Sequence, residues 1–247
     1  MKVWRSPSSF TYPIYTDMLK QTNLLIAGEI GSGKSTTVHA LLHELLTRTP
    51  ATTLFVLIDP KRVELGEYAD MPHTLRHVSA LADIPRTLED VVDLMDRRFT
   101  DMAARHLRMF DGPRVYVVVD ELIPVTTSAI KRRCIPLLEM LLSQGRAAKI
   151  SVIAATQSPL RQVVTPVLRA NFDSRLGLKT ATAQDSRNII NVSGCEAFPD
   201  PREEGRALGY YRAGTKMYVT DLPMIPEDER QRVIQYWRDN PTPVEKR

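Results

Sequence analysis

Residues 23–35 read Asn-Leu-Leu-Ile-Ala-Gly-Glu-Ile-Gly-Ser-Gly-Lys-Ser, an apolar run that passes directly into the pattern G-x-x-x-x-G-K-[ST]. Residues 23–27 read as a short buried strand. After the pattern, Val38, Leu41, Leu42, Leu45 and Leu46 recur at the spacing of one helical face. Strand, glycine loop and helix in that order form a phosphate cradle. Successive backbone N–H groups of the loop make an anion-binding nest, and the helix adds the positive end of its dipole. Gly28, Gly31 and Gly33 let the chain approach the phosphates with no Cβ in the way. The spacing therefore predicts a nucleoside triphosphate held by Gly28, Glu29, Ile30, Gly31, Ser32, Gly33, Lys34, Ser35 and Thr36. Lys34 would face the β- and γ-phosphates and Ser35 would offer its hydroxyl to Mg²⁺.

Working outward, Thr53 to Ile58 is a second continuous apolar run, and Val115 to Val119 a third. Residues 150–155 make a fourth. Residues 86–109 predict a long helix with Leu88, Val91, Val92, Met95, Phe99 and Met102 on its apolar side and Arg97, Arg98, Arg105 and Arg108 mainly off it. A further helix is expected near 135–142, while 61–84 reads as loop-rich. Strands separated by helices predict an α/β fold with a mainly parallel sheet covered on both faces. Beyond Arg175 the pattern loosens. Strands at 206–211 and 216–220 around Gly214 suggest a small C-terminal hairpin, and 227–238 a last helix. The expected division is a leading segment over 1–22, one ATPase-type domain over 23–222, and a helix with a tail over 223–247.

The third strand runs straight into Asp120-Glu121. Beside a phosphate loop, Asp120 is expected to hold Mg²⁺, usually through water, and Glu121 to activate or orient the attacking water. A carboxylate in that role favours hydrolysis over transfer to a metabolite. The fourth strand ends in Ala155-Thr156-Gln157, which makes Gln157 either a nucleotide sensor or a strand-end hydrogen bonder. Leu142-Ser143-Gln144-Gly145-Arg146 faintly resembles the signature of transporter-type ATPases. It follows the Asp-Glu strand instead of preceding it, which argues against that class.

At 247 residues and 43% apolar content the chain is globular, and no apolar run approaches a membrane span. Cys134 and Cys195 fit no ligand spacing and read as buried thiols in a reducing cytosol. Net charge is +4, but positions 131–190 carry ten Lys/Arg against three Asp/Glu, leaving −3 for the rest. That segment suggests a polyanionic partner or, equally, arginines paired elsewhere.

With these pieces placed, the chain resembles the motor domain of the FtsK/SpoIIIE family of DNA translocases, in the HerA-FtsK superfamily, from about Tyr12 to Tyr211. The likeness rests on residues 24–35, on Asp59-Pro60-Lys61-Arg62-Val63-Glu64-Leu65, on Asp120-Glu121, on Gln144-Gly145-Arg146-Ala147-Ala148, on Ala155-Thr156-Gln157-Ser158-Pro159, on Ala170-Asn171-Phe172 with Arg175, and on Asp185-Ser186-Arg187, all in the family's order. The resemblance implies a RecA-like core, ATP and Mg²⁺, a homo-oligomeric ring of six, and movement along double-stranded DNA. It also implies an arginine supplied by a neighbouring subunit, with Arg146 the first candidate and Arg175 the second. Protein-secretion ATPases and conjugative coupling proteins share the design, so a protein or relaxosome cargo is the alternative.

Four departures stand out. Leu-Ile-Pro-Val-Thr-Thr follows Glu121 where the family continues with acidic and hydrophobic residues. The stretch C-E-A-F-P-D-P-R-E-E-G over 195–205 is only loosely like the family. No membrane-anchoring segment is expected before the domain, and no winged-helix module after Tyr211. On this reading the chain is a stripped-down cytoplasmic motor, expected in mobile-element or phage DNA transfer, with another protein to recruit or orient it.

Overall fold

The computed structural model describes residues 23–204, 206–222 and 224–241. The leading segment expected over 1–22, and nearly all of the expected tail, lie outside the described residues. Eight strands form one sheet in the order β3-β2-β4-β5-β1-β6-β7-β8. The parallel part comprises β1 (Leu24–Ala27), β2 (Thr53–Ile58), β3 (Thr74–Val78), β4 (Arg114–Val119), β5 (Ile150–Thr156) and β6 (Ser174–Gly177). Strands β7 (Ala207–Ala213) and β8 (Lys216–Leu222) then pair antiparallel onto β6.

The four continuous apolar runs become β1, β2, β4 and β5, the centre of the sheet, with every residue buried. Alternate side chains feed two cores, as the two-residue period of a strand requires. Leu24, Ile26, Phe55, Leu57, Tyr116 and Val118 face a layer containing α1 (Lys34–Arg48). Leu25, Val56, Ile58, Val117 and Val119 face the layer of α2 (Ile84–Ala104), α3 (Leu122–Thr127), α4 (Lys131–Gln144) and α5 (Pro166–Asn171). Two short helices follow, α6 (Ala183–Ile190) and α7 (Pro201–Glu204), and α8 (Glu227–Asp239) returns to pack on α1. Both faces of the sheet are covered, as the α/β pattern predicts. Cys134 and Cys195 are buried free thiols. Among the described residues no helix is long and apolar enough to cross a membrane.

Four local expectations are corrected. The loop-rich stretch 61–84 contains β3, an edge strand whose Leu75, Arg76 and His77 are partly or fully exposed. Helix α2 stops at Ala104, five residues early, because the chain turns left-handed at His106 (φ 54°). Arg98 lies on the buried side of that helix, donating to the Ala148 carbonyl at 2.7 Å with its guanidinium over the Phe110 ring. From Ser174 on, where the pattern loosens in sequence, the described residues still form β6 inside the sheet and α6, capped by the Thr182 hydroxyl.

Candidate nucleotide site

The parallel strands point the same way, so the connections leaving β1, β2, β4, β5 and β6 gather at one edge of the sheet. The glycine loop bridges β5 and β6 there: Gly28 N–H donates to Thr156 O at 3.3 Å and Glu29 N–H to Lys179 O at 2.8 Å. Gly31 (φ 80°) and Gly33 (φ 94°) take left-handed conformations that side chains resist. Gly28 is held by packing instead, since a Cβ there would sit 2.9 Å from the Lys179 carbonyl. Ile30 projects from the tip of the loop, while Ser35 and Thr36 are half-buried in the first turn of α1. The Lys34 ammonium folds back over the loop, donating to Gly28 O at 3.0 Å and Glu29 O at 2.7 Å. Burial, with Lys61 nearby, lowers its pKa to about 8 against the opposing pull of Glu121, Asp120 and Glu29. The Ser32 hydroxyl is buried and has no hydrogen-bond partner among the described residues.

Register brings the acidic pair alongside. Strand β4 lies between β2 and β5, and Asp120 N–H donates to Ile58 O at 3.1 Å. Asp120 is 4% exposed, and burial raises its carboxyl to about pKa 6 despite the attraction of Lys61. Its Oδ2 is buried with no hydrogen-bond partner among the described residues. An unsatisfied buried carboxylate oxygen on a group whose charge acts on Lys34, with the half-buried hydroxyl of the adjacent Ser35, offers hard-oxygen donors of the kind that fit Mg²⁺. Glu121 caps α3, accepting from Ile123 N–H at 3.3 Å on Oε1. Its Oε2 accepts from the backbone N–H of Gln157 at 3.4 Å and pairs with Lys61 Nζ at 3.2 Å. Gln157 therefore does lie beside the Asp-Glu strand, and the tie runs through its main chain.

Lys61 is a site residue that the sequence reading quoted in a motif without assigning it a task. The structure gives the whole stretch 59–65 one. Asp59 accepts from the N–H groups of Arg62 (2.9 Å), Glu64 (3.1 Å) and Leu65 (3.0 Å), folding the chain into a tight turn with Arg62 left-handed. The turn aims Lys61 at Glu121 and Glu64 at His39, whose Nε2 is 3.2 Å from the Glu64 carboxylate.

Arg146 and Arg175 fall elsewhere. Arg146 precedes β5, whose seven residues span about 20 Å at roughly 3.3 Å each. It is thus at the amino edge of the sheet, exposed, and out of reach of its own chain's loop. Arg175, paired in register with Leu25, is half-buried and donates to Arg169 O at 2.7 Å. The basic stretch divides in the same way. Lys149, Arg169, Arg175 and Lys179 bond main-chain carbonyls. Lys131, Arg132, Arg133 and Arg161 are exposed on the connections that leave β4 and β5 at the carboxyl edge, with Arg133 also pairing with Glu89 at 2.7 Å.

One cation arrives at the loop from a part of the chain that sequence spacing did not bring there. Arg202, in α7, lies against Gly31: a Cβ on that glycine would be 3.3 Å from the guanidinium carbon. Asp200 anchors it through Nε at 2.9 Å and Nη2 at 2.5 Å.

The FtsK/SpoIIIE family pattern matches residues 3–213. The DNA translocase FtsK of Lactiplantibacillus plantarum is 38% identical over 207 residues, 74% of this chain and 26% of that protein. The DNA translocase FtsK of Helicobacter pylori strain J99 is 32% identical over 243 residues, 91% of this chain and 28% of that protein. The chain thus spans about a quarter of the length of these relatives. Among solved structures, the pCW3 conjugation coupling protein TcpA, in a monomer form with ATPgS, matches with a TM-score of 0.76 at 22% identity, over 89% of this chain and 66% of that one. The cytoplasmic domain of the Thermomonospora curvata type VII secretion ATPase EccC matches at 0.70 and 21%, over 87% and 28%. These likenesses show the fold, a RecA-like P-loop ATPase core.

Proposed function

The chain belongs to the FtsK/SpoIIIE family, P-loop ATPases in fold and nucleotide loop, and on that premise we propose that it is the motor of a cytoplasmic hexameric ring that moves double-stranded DNA. What supports this reading is the meeting, at one sheet edge, of the residues expected to serve hydrolysis with exposed cations. Lys34, Ser35, Asp120 and Glu121 make the first, and Lys131, Arg132, Arg133 and Arg161 the second.

In this reading Lys34 leaves the Gly28 and Glu29 carbonyls for the β- and γ-phosphates, and Ser32 turns its hydroxyl to a phosphate oxygen. Ser35 and Asp120 would hold Mg²⁺, which neutralises charge on those phosphates. Glu121, fixed by Lys61, orients water at the γ-phosphate. Its bond to Gln157 N–H passes the change on to β5. A neighbour's Arg146, delivered from the amino edge of that subunit, completes the site.

The test is ATP hydrolysis with and without linear duplex DNA, with Lys34→Ala as the inactive control. DNA should stimulate turnover at low salt. The stimulation should fade with a log–log slope of about −0.9 per phosphate neutralised. Unstimulated turnover at low salt would count against a DNA cargo. Glu121→Gln should bind ATP and hold it unhydrolysed.

A protein cargo is the second reading, and one observation favours it. Met217, Val219 and Met224 are exposed on and just after β8, an edge strand. That chemistry suits an extended peptide, and stimulation by a partner protein in place of DNA would establish it.

A further inference from the structure

The stretch 195–205 is one place where this chain departs from the FtsK/SpoIIIE pattern, and its residues 195–204 run back to the nucleotide loop. Cys195 is buried beneath Gly177. Phe198 packs on Tyr210 with ring centroids 4.8 Å apart, and its carbonyl accepts from Lys179 Nζ at 2.8 Å. Asp200 then opens the short helix α7 by accepting from Arg202 N–H at 2.9 Å. The same carboxylate grips the Arg202 side chain through Nε and Nη2. Two of the three guanidinium nitrogens are therefore spoken for. The third, Nη1, is 3.5 Å from the position a Gly31 Cβ would take, on the side away from Asp200's bonds to Nε and Nη2. Glu29, within the loop, adds a weaker attraction on the same side.

As a surface ion pair this arrangement adds little to stability, because an exposed pair is worth at most a fraction of the folding free energy. As a presented cation it makes chemical sense. A guanidinium clamped on one side by a carboxylate keeps its remaining N–H groups in a fixed plane, the geometry that matches phosphate oxygens. It stands against the glycine loop, the backbone that the phosphate-loop reading assigns to an anion.

We propose that Arg202 is a phosphate contact supplied by the same chain, joining Lys34 on the bound nucleotide and held ready by Asp200. The proposal rests on the phosphate-loop reading of residues 28–35. It concerns a residue outside the motifs that define that reading, and it is distinct from any arginine supplied by a neighbour.

The test is equilibrium titration of the full chain with Mg-ATP, ADP and AMP for the wild type, Arg202→Ala and Arg202→Lys, with a thermal melt of each protein free of nucleotide. Losing one ionic hydrogen bond to phosphate should weaken ATP binding about tenfold to a hundredfold. ADP should lose less and AMP almost nothing. Arg202→Lys, which keeps the charge and loses the fork, should fall between. The nucleotide-free melting temperatures should agree within a degree or two. Arg202→Ala binding ATP like the wild type would overturn the assignment. So would an equal loss for AMP and ATP, which would place the side chain at the base or ribose, or a lowered melting temperature without nucleotide, which would make it structural. The wild type is compared with Lys34→Ala in the same titration. A wild type that binds ATP no better than that variant overturns the loop reading and the Arg202 proposal together. A wild type that binds while Arg202→Ala is unaffected overturns Arg202 alone.

Discussion

At the residue scale the site trades stability for readiness. Asp120 is buried with its carboxyl raised to about pKa 6, well above the value of a solvated aspartate. Below about pH 4 the group is protonated in folded and unfolded chains alike, and it costs nothing. As pH rises from about 4 to 6 the unfolded chain gives up its proton first, so the nucleotide-free protein loses stability through that window. By pH 7 the penalty is on the order of 2–3 kcal/mol. Asp120→Asn should therefore melt higher than the wild type at pH 7 in the absence of nucleotide. The advantage should vanish near pH 4, and ATP hydrolysis should be abolished. Melting curves at the two pH values check it. The loop, Asp120 and Glu121 were legible in sequence because strand ends carry them and their chemistry is local. Lys61 was hidden, since its partner Glu121 is sixty positions away and only the neighbouring registers of β2 and β4 bring the two together. Arg202 was hidden more deeply, because no periodicity links position 202 to position 31.

At the element scale the instructive region lies between α1 and α8. Trp237 donates to Leu46 O at 3.1 Å, Arg230 pairs with Glu67 at 2.6 Å, and Ile234 is buried against the core. Three buried histidines lie in this layer. Burial depresses His39, near Glu64, Glu67, Tyr68 and Arg230, and His43, which faces Glu229. His73, edge-on to Trp237 with centroids 5.0 Å apart, is lowered to about pKa 4. A depressed histidine contributes stability above its unfolded value near 6.5 that is lost as pH falls toward its folded value. The contribution of these histidines should thus fall away between about pH 6.5 and 4, against the opposite contribution of Asp120. His73→Leu should blunt that loss by up to about 3 kcal/mol, with His39 and His43 supplying the remainder. Denaturant melts at pH 7 and pH 4.5 would show it, and an unchanged slope would refute it. The elements that sequence revealed are those with a continuous or strictly periodic apolar signal, such as β1, β2, β4, β5 and α1. Strand β3 escaped because an edge position buries only its ends, leaving Thr-Leu-Arg-His-Val with no run to detect. Helix α6 escaped because its eight residues bury three side chains, too few for a period.

At the scale of the whole molecule the sheet has a polarity. The phosphate loop, Asp120 and Glu121 stand at its carboxyl edge, and Arg146 at the other, about 20 Å away. If Arg146 completes a neighbour's site, then Arg146→Ala should lower turnover by about 10³-fold or more while leaving ATP binding intact. Two inactive variants, Arg146→Ala and Lys34→Ala, should recover activity when mixed, because some junctions unite a sound loop with a sound arginine. A mixture as inactive as its components would remove Arg146 from the role and pass it to Arg175. If Arg146 does act on a neighbour, the separation of the two edges would also make chemistry a matter of mass action. A chain whose own Arg146 cannot reach its own nucleotide would be, alone, half of an enzyme. Its activity per molecule would rise with concentration, fall on dilution, and rise again wherever a track or scaffold crowds the subunits together.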